Sequence, residues 1–298
     1  MQRLPGPAMF ALLGLLLVAG CAGTTGGSAT GGQAGQRPST SAFTGGRPAY
    51  PSYVALGDSY TAAPFVPVTD LANGCLRSSG NYPSLVAKAL RIKHFHDVSC
   101  SAARSRDIEG RQHTAGSFRE PPQLAAVRRT TALVTLGIGG NDDGLFARML
   151  GGCRDRGCRL TAQVPALQRS IGHVRAAVTR NLRAIRDAAP HAKVLLVGYP
   201  QLAPDHGTCR QLPRLGPADL RVVVRINREL NGALRAAAHS AGAGFVDVYS
   251  ASRGHDICAL VPWVNGIHTD TRAAAALHPF AREQQAVAHL VEHLAAGH

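Results

Sequence analysis

Residues 53–60 run Tyr53-Val54-Ala55-Leu56-Gly57-Asp58-Ser59-Tyr60. Four apolar residues stopped at once by a glycine read as a short buried strand. Gly57 lets the backbone turn, which places Ser59 at the carboxyl end of the strand, where a helix begins. A serine on such a turn is exposed, and the helix N-terminus beside it favours developing negative charge. Asp58 caps the following helix or holds the loop.

The same grammar repeats along the chain. His94 to Cys100, Ala132 to Ile138, Lys193 to Gly198 and Gly244 to Val248 predict four further strands. Between the third and fourth, Leu167, Ile171, Val174, Val178, Leu182 and Ile185 recur at three or four within residues 164–189 and lay one apolar stripe on a helix that Pro190 ends. Residues 220–241 repeat the pattern with Val223, Ile226, Leu230 and Leu234, and a last helix follows Pro279 with Ala286, Val287 and Leu290. Strands separated by helices predict an α/β fold, a central parallel sheet of about five strands with helices on both faces. Active sites in such sheets sit at the carboxyl ends of the strands.

The residues found there carry chemistry. After the second strand comes Cys100-Ser101-Ala102-Ala103, a small-residue turn whose backbone amides can point into a cleft. After the third comes Gly139-Gly140-Asn141-Asp142, where the Asn141 amide can donate to an oxyanion. Leu277-His278-Pro279 precedes the last helix and offers a general base for Ser59. Each element alone has a plain structural explanation: a helix cap, a tight turn, a surface histidine. Their order after successive strands is what makes them one constellation.

The chain has 298 residues, 45% of them hydrophobic, enough for a large globular domain. Lys and Arg number 32 against 18 Asp and Glu, a net charge of +14. The excess is arginine scattered singly, without a basic run interleaved with aromatics or zinc-finger spacing, so nucleic acid is not an expected partner. Anionic lipids or envelope polymers suit the charge, and solvated arginine is the plainer explanation. With neither a Cys-x-x-Cys pair nor a compact Cys/His cluster, no metal is expected.

At the N-terminus, Arg3 precedes an apolar run from Ala8 to Ala19, too short to span a bilayer and suited to a signal peptide. The run ends in Leu17-Val18-Ala19-Gly20-Cys21, which resembles a bacterial lipoprotein box and implies lipidation of Cys21. Residues 1–20 are thus expected to be a lipoprotein signal, 21–50 a flexible Gly/Ser/Thr-rich tether reaching about 30 Å, and 51–298 the folded domain. The chain is expected to be exported and held on the outer face of the cell membrane, or secreted if Cys21 is not lipidated. Six other cysteines remain, an even count that implies disulfides in any of fifteen connectivities, of which sequential pairing is the simplest.

Taken together, Gly57-Asp58-Ser59-Tyr60, Ser101-Ala102, Gly139-Gly140-Asn141-Asp142 and Leu277-His278-Pro279 resemble the four blocks of the SGNH or GDSL-type hydrolase superfamily, over residues 50–296. The likeness is greatest to secreted actinobacterial esterases and lipases, through Cys100, Trp263-Val264 and the six cysteines. The resemblance implies a flavodoxin-like three-layer α/β/α sandwich and a serine esterase or lipase; its mechanism needs no cofactor, and a monomer is expected. Ser59 would be the nucleophile and His278 the general acid–base. The Ser59 and Ala102 amides with the Asn141 side chain would form the oxyanion hole. The disulfides would be Cys75–Cys100, Cys153–Cys158 and Cys209–Cys258.

Three positions depart from the family pattern. Ala102 stands where glycine is usual. Ala275 stands where an aspartate usually orients the histidine, so the Ala275 backbone carbonyl is expected in that role, with Asp270 the nearest earlier carboxylate. Phe280 follows His-Pro where asparagine is usual. The substrate would be a lipid-like or short-chain ester. A glycan O-acetyl ester, a thioester, or a non-catalytic binding role on the same fold are the alternatives.

Overall fold

The computed structural model describes residues 50–151 and 159–297. Five parallel strands form the sheet: β1 (Ser52–Gly57), β2 (His94–Asp97), β5 (Leu133–Gly137), β6 (Lys193–Val197) and β7 (Gly244–Val246), in spatial order β2-β1-β5-β6-β7. Alternation along the strands divides the core into two layers. Val54, Leu56, Val134, Leu136, Val194 and Leu196 pack against α5 (Leu160–Ala188) and α6 (Pro217–Ser240). Tyr53, Ala55, Leu133, Leu195, Val197 and Val246 face the other way, onto α2 (Tyr82–Ala89) and α8 (Ala281–Ala295). The result is the expected α/β/α sandwich. Among the described residues no helix is long and apolar enough to cross a membrane. Residues 46–298 form one compact unit that contains both core layers.

The predicted stripe of α5 is buried along its length. The helix starts before the predicted boundary because the Asp219 carboxylate of α6 accepts the Leu160 and Thr161 amides at 2.8 and 3.2 Å. That cap comes from 58 and 59 residues away, so local sequence gives no sign of it. Strand β2 stops at Asp97 because its carboxylate accepts both the amide and the hydroxyl of Ser99 and turns the chain. Asp247 likewise ends β7 by capping α7 (Val248–Ala251) through the Ser250 amide. Between β2 and β5 lie α3 (Arg106–Glu109) and a small hairpin, β3 (Gln112–His113) with β4 (Arg119–Glu120), which was not expected.

Two disulfides, Cys75–Cys100 and Cys209–Cys258, join the cysteines in the expected order. Such bonds belong to a chain that matures in an oxidising compartment outside the cytosol. Cys153 and Cys158 lie outside the described residues, as do residues 1–49 with the signal segment and Cys21. Tyr50, placed at the end of the tether, donates its hydroxyl to the Ala295 carbonyl at 2.6 Å and so belongs with the folded unit.

Candidate active site

The strand order reverses between β1 and β5, since β1 continues outward to β2 while β5 continues to β6 and β7. Ligands of open α/β sheets bind outside the carboxyl ends of the strands at such a switch point. Ser59 follows β1 and Asn141 follows β5, on the two sides of that crevice.

The turn after β1 is held from several directions. The Gln123 side chain clamps Gly57, accepting its amide at 2.8 Å and donating to its carbonyl at 2.9 Å. The Asp58 amide donates to the Gly137 carbonyl of β5 at 2.9 Å. Glycine is required at position 57 because a Cβ there would lie 2.7 Å from that same carbonyl oxygen and against the Thr61 hydroxyl. Asp58 is buried and caps the single-turn helix α1 (Ser59–Ala62), accepting the Tyr60 amide at 2.9 Å through one oxygen and the Tyr199 hydroxyl at 2.6 Å through the other. Burial pushes its pKa up to about 7 against the lowering effect of these bonds. Because α1 is one turn long, little helix dipole acts at Ser59, and stabilisation of charge there falls to individual donors.

His278 meets Ser59 across 219 residues of chain, with Nε2 at 2.8 Å from Oγ. Its Nδ1 lies 2.7 Å from the Ala276 carbonyl oxygen. A carbonyl only accepts, so Nδ1 carries the proton and Nε2 presents its lone pair to the serine hydroxyl. The carbonyl in this place is that of Ala276, not of Ala275. Ala275 uses its own carbonyl to close the turn, accepting the His278 amide at 3.2 Å and the Asn265 side chain at 3.1 Å. The left-handed Leu277, at φ 62°, then swings the next carbonyl toward the imidazole. The Asp270 carboxylate accepts the Arg272 amide at 2.9 Å, in a separate turn. Burial lowers the His278 pKa below its usual value, opposed by the Ala276 bond.

Tyr60 fastens the histidine loop. Its hydroxyl donates to the Leu277 carbonyl at 2.7 Å, its ring lies 5.5 Å from the imidazole, and its carbonyl accepts Gln284 at 3.0 Å. Glu283 beside it is buried, and desolvation raises its pKa to about 8.

The two remaining blocks line the crevice. The disulfide holds Cys100 to the loop after α1, and the Ser101 amide donates to the Cys75 carbonyl at 2.9 Å. Ala102 follows in the left-handed region at φ 63°, a conformation that glycine adopts freely and alanine at a cost of about 1–2 kcal/mol. Its amide and that of Ser59 make no hydrogen bond among the described residues. Asn141 donates one amide proton to the Ala103 carbonyl at 3.0 Å, which orients the side chain and leaves its second proton available. Asp142 accepts the Ser105 amide at 2.8 Å and ties the two blocks together. A polar cavity of about 430 Å³ opens beside them, lined in part by Arg104, Ser105, Asp142, Arg180 and Asn181. The Asn181 carbonyl oxygen is buried there without a partner among the described residues.

Tyr199 was not foreseen. Its hydroxyl donates to Asp58 and accepts the Gly140 amide at 2.8 Å, so one buried oxygen joins the turn of Ser59 to the turn of Asn141. Tyr199 stands directly after β6, where the rule of seeking function behind each strand pointed. Gln123 lies in a 3₁₀ turn of the β2–β5 crossover and gave no such signal. Among the described residues no cluster of three or more His, Cys, Asp or Glu is placed to hold a metal.

Residues 55–285 match the GDSL-like Lipase/Acylhydrolase family. Lipase 2 of Streptomyces coelicolor is 37% identical over 225 residues, spanning 69% of this chain and 72% of that protein. Among solved structures, the fold is similar to phospholipase A1 from Streptomyces albidoflavus, with TM-score 0.69 and 26% identity over 82% of this chain and 99% of that one. An extracellular lipase from Streptomyces rimosus is similar at TM-score 0.68 and 28% identity, with the same coverage of 82% and 99%. The four blocks, the parallel sheet that presents them and these relatives converge: the chain belongs to the GDSL-like lipase/acylhydrolase family and is a carboxylic ester hydrolase.

Proposed function

We propose that Ser59 and His278 act as a catalytic dyad on lipid-like esters, with the Ala276 carbonyl in place of an acidic third member. The observation that carries this reading is the 2.8 Å approach of His278 Nε2 to Ser59 Oγ, with Nδ1 committed to a carbonyl. Nε2 removes the serine proton as Oγ attacks the ester carbonyl carbon. The oxyanion is held by the Ser59 amide, the Ala102 amide and the Asn141 side chain, each donor supplying about 3 kcal/mol. The alcohol leaves with the proton from His278. Water then attacks the acyl-enzyme, giving its proton to Nε2, and the acid departs as Ser59 regains its hydrogen. A carbonyl fixes the imidazole tautomer but carries no full charge to stabilise imidazolium.

Support for a lipid-like substrate comes from relatives described as lipases and a phospholipase A1. We further propose that residues 1–20 are removed, that Cys21 carries the lipid and that the domain acts as a monomer on the outer face of the membrane. The test is hydrolysis of p-nitrophenyl esters of increasing acyl length by the wild type and by Ser59→Ala. Turnover is expected to vanish in the variant while the fold is kept, and activity of Ser59→Ala near wild type contradicts the dyad. Mass analysis of the exported protein for a lipidated Cys21 tests the anchor.

A further inference from the structure

Among the described residues the large exposed apolar side chains are Val68 (75% exposed), Leu71 (66%), Phe118 (45%), Val261 (52%) and the fully exposed Leu260. Single exposed hydrophobic residues are ordinary. Here all five stand on segments at the carboxyl end of the sheet, around the site. Val68 and Leu71 belong to residues 63–81, which follow Ser59 and α1. Phe118 is in the turn of the β3–β4 hairpin, fastened to that segment by the Thr114 hydroxyl on the Asn73 carbonyl at 2.7 Å. Leu260 and Val261 belong to residues 252–280, after β7 and α7. There His255 stacks on Trp263 at 4.9 Å and its Nδ1 lies 2.8 Å from the Val261 carbonyl oxygen. That last segment leaves the β7 edge and ends by delivering His278 to Ser59 behind β1, so the two apolar groups flank the dyad along the strand order.

The charge is distributed differently. Residues 63–81, 98–122 and 252–280, the segments that hold the exposed apolar residues, carry seven arginines and six aspartates or glutamates. Helices α5 and α6 carry nine arginines against three acids, on the layer beside the sheet. These segments are therefore nearly neutral, although the chain as a whole is strongly basic. A nearly neutral apolar rim matches a lipid surface without net charge and gains little from an anionic one.

We propose that this rim docks the active site onto a zwitterionic lipid surface by inserting Val68, Leu71, Phe118, Leu260 and Val261. The inference rests on the ester-hydrolase reading and names where its lipid substrate is met. Attachment by apolar insertion is insensitive to salt, whereas attachment through the arginine helices weakens as salt rises.

The experiment uses residues 46–298, free of any N-terminal lipid, and vesicles of ether-linked phosphatidylcholine, which offer no ester to cleave. The wild type is expected to bind these vesicles equally at low and high salt. Val68→Ser/Leu71→Ser/Leu260→Ser/Val261→Ser is expected to bind at least tenfold more weakly, yet to hydrolyse soluble p-nitrophenyl acetate and unfold thermally as the wild type does. Each pair alone is expected to lose part of the binding, and Arg169→Gln/Arg183→Gln on α5 none. No vesicle binding by the wild type, unchanged binding by the quadruple variant, or binding that depends on salt or on the α5 arginines overturns the proposal. Ser59→Ala separates the two readings: it is expected to bind vesicles while losing turnover, and retained turnover sinks the dyad without touching the docking surface.

Discussion

Replacing Tyr199 by phenylalanine removes one oxygen and leaves the ring in place. That oxygen is the buried link between the Asp58 carboxyl and the Gly140 amide, at 2.6 and 2.8 Å. The Gly140 amide would be left unsatisfied, at about 1–3 kcal/mol, and Asp58 would lose one of the bonds that ease its ionisation. The losses overlap, and together amount to about 3 kcal/mol. The cost depends on pH. With its pKa near 7, Asp58 is protonated at acid pH, where a neutral bond worth roughly 1 kcal/mol is lost. At alkaline pH it is ionised, and the lost bond is charge-assisted, worth about 1.5–3 kcal/mol. Denaturant unfolding should therefore show a larger deficit for Tyr199→Phe at pH about 9 than at pH about 5. Since both turns carry groups of the proposed mechanism, kcat on a soluble ester should fall about tenfold to a hundredfold with KM nearly unchanged, roughly 1.4–2.7 kcal/mol of barrier. A variant with kcat within twofold of wild type and no loss of stability at either pH would refute the idea that this hydroxyl joins the two turns.

Other consequences follow from single residues. Ala102→Gly relieves a left-handed alanine worth about 1–2 kcal/mol but adds roughly 0.4–1 kcal/mol of unfolded-state entropy, so equilibrium unfolding should show a gain of about 0.5–1 kcal/mol with turnover kept; a clear loss of stability contradicts the strain. The proposed dyad needs neutral His278, whose pKa burial lowers, so kcat/KM should rise with pH through a midpoint below the usual histidine value and then level off, and a midpoint above that value contradicts the buried dyad. Stability should run the opposite way. Glu283 keeps its proton in the fold up to about pH 8 and loses it near 4.5 when unfolded, so its contribution declines as pH rises across that window. Glu283→Gln should flatten this decline and raise Tm at pH about 9 relative to wild type, and an unaltered pH dependence would count against the buried carboxyl.

How much could be read in advance depended on whether a feature was local. The strands were legible because short apolar runs end in glycine or a turn, and α5 because its stripe recurs at three and four. The positions of Ser59, Asn141 and His278 were legible because each stands directly behind a strand or before a helix, at the end where parallel sheets place their ligands. What escaped depends on where the chain goes next. The Asp219 cap lengthens α5 from another helix. The choice of the Ala276 carbonyl over that of Ala275 turns on the φ of Leu277 and on Asn265 claiming the other oxygen. Gln123 and Tyr199 bond partners 66 and 141 residues distant; Tyr199 at least stands behind β6, whereas nothing in its neighbourhood marks Gln123.

The central claim is that Ser59 is activated by His278 without a carboxylate. The most direct measurement is reaction of the folded, disulfide-intact protein with a fluorophosphonate, followed by peptide mass analysis. The account predicts a single adduct on Ser59, formed with the pH dependence of a buried neutral imidazole and abolished in His278→Ala. An unlabelled Ser59, an adduct on another serine, or undiminished labelling in His278→Ala would contradict it.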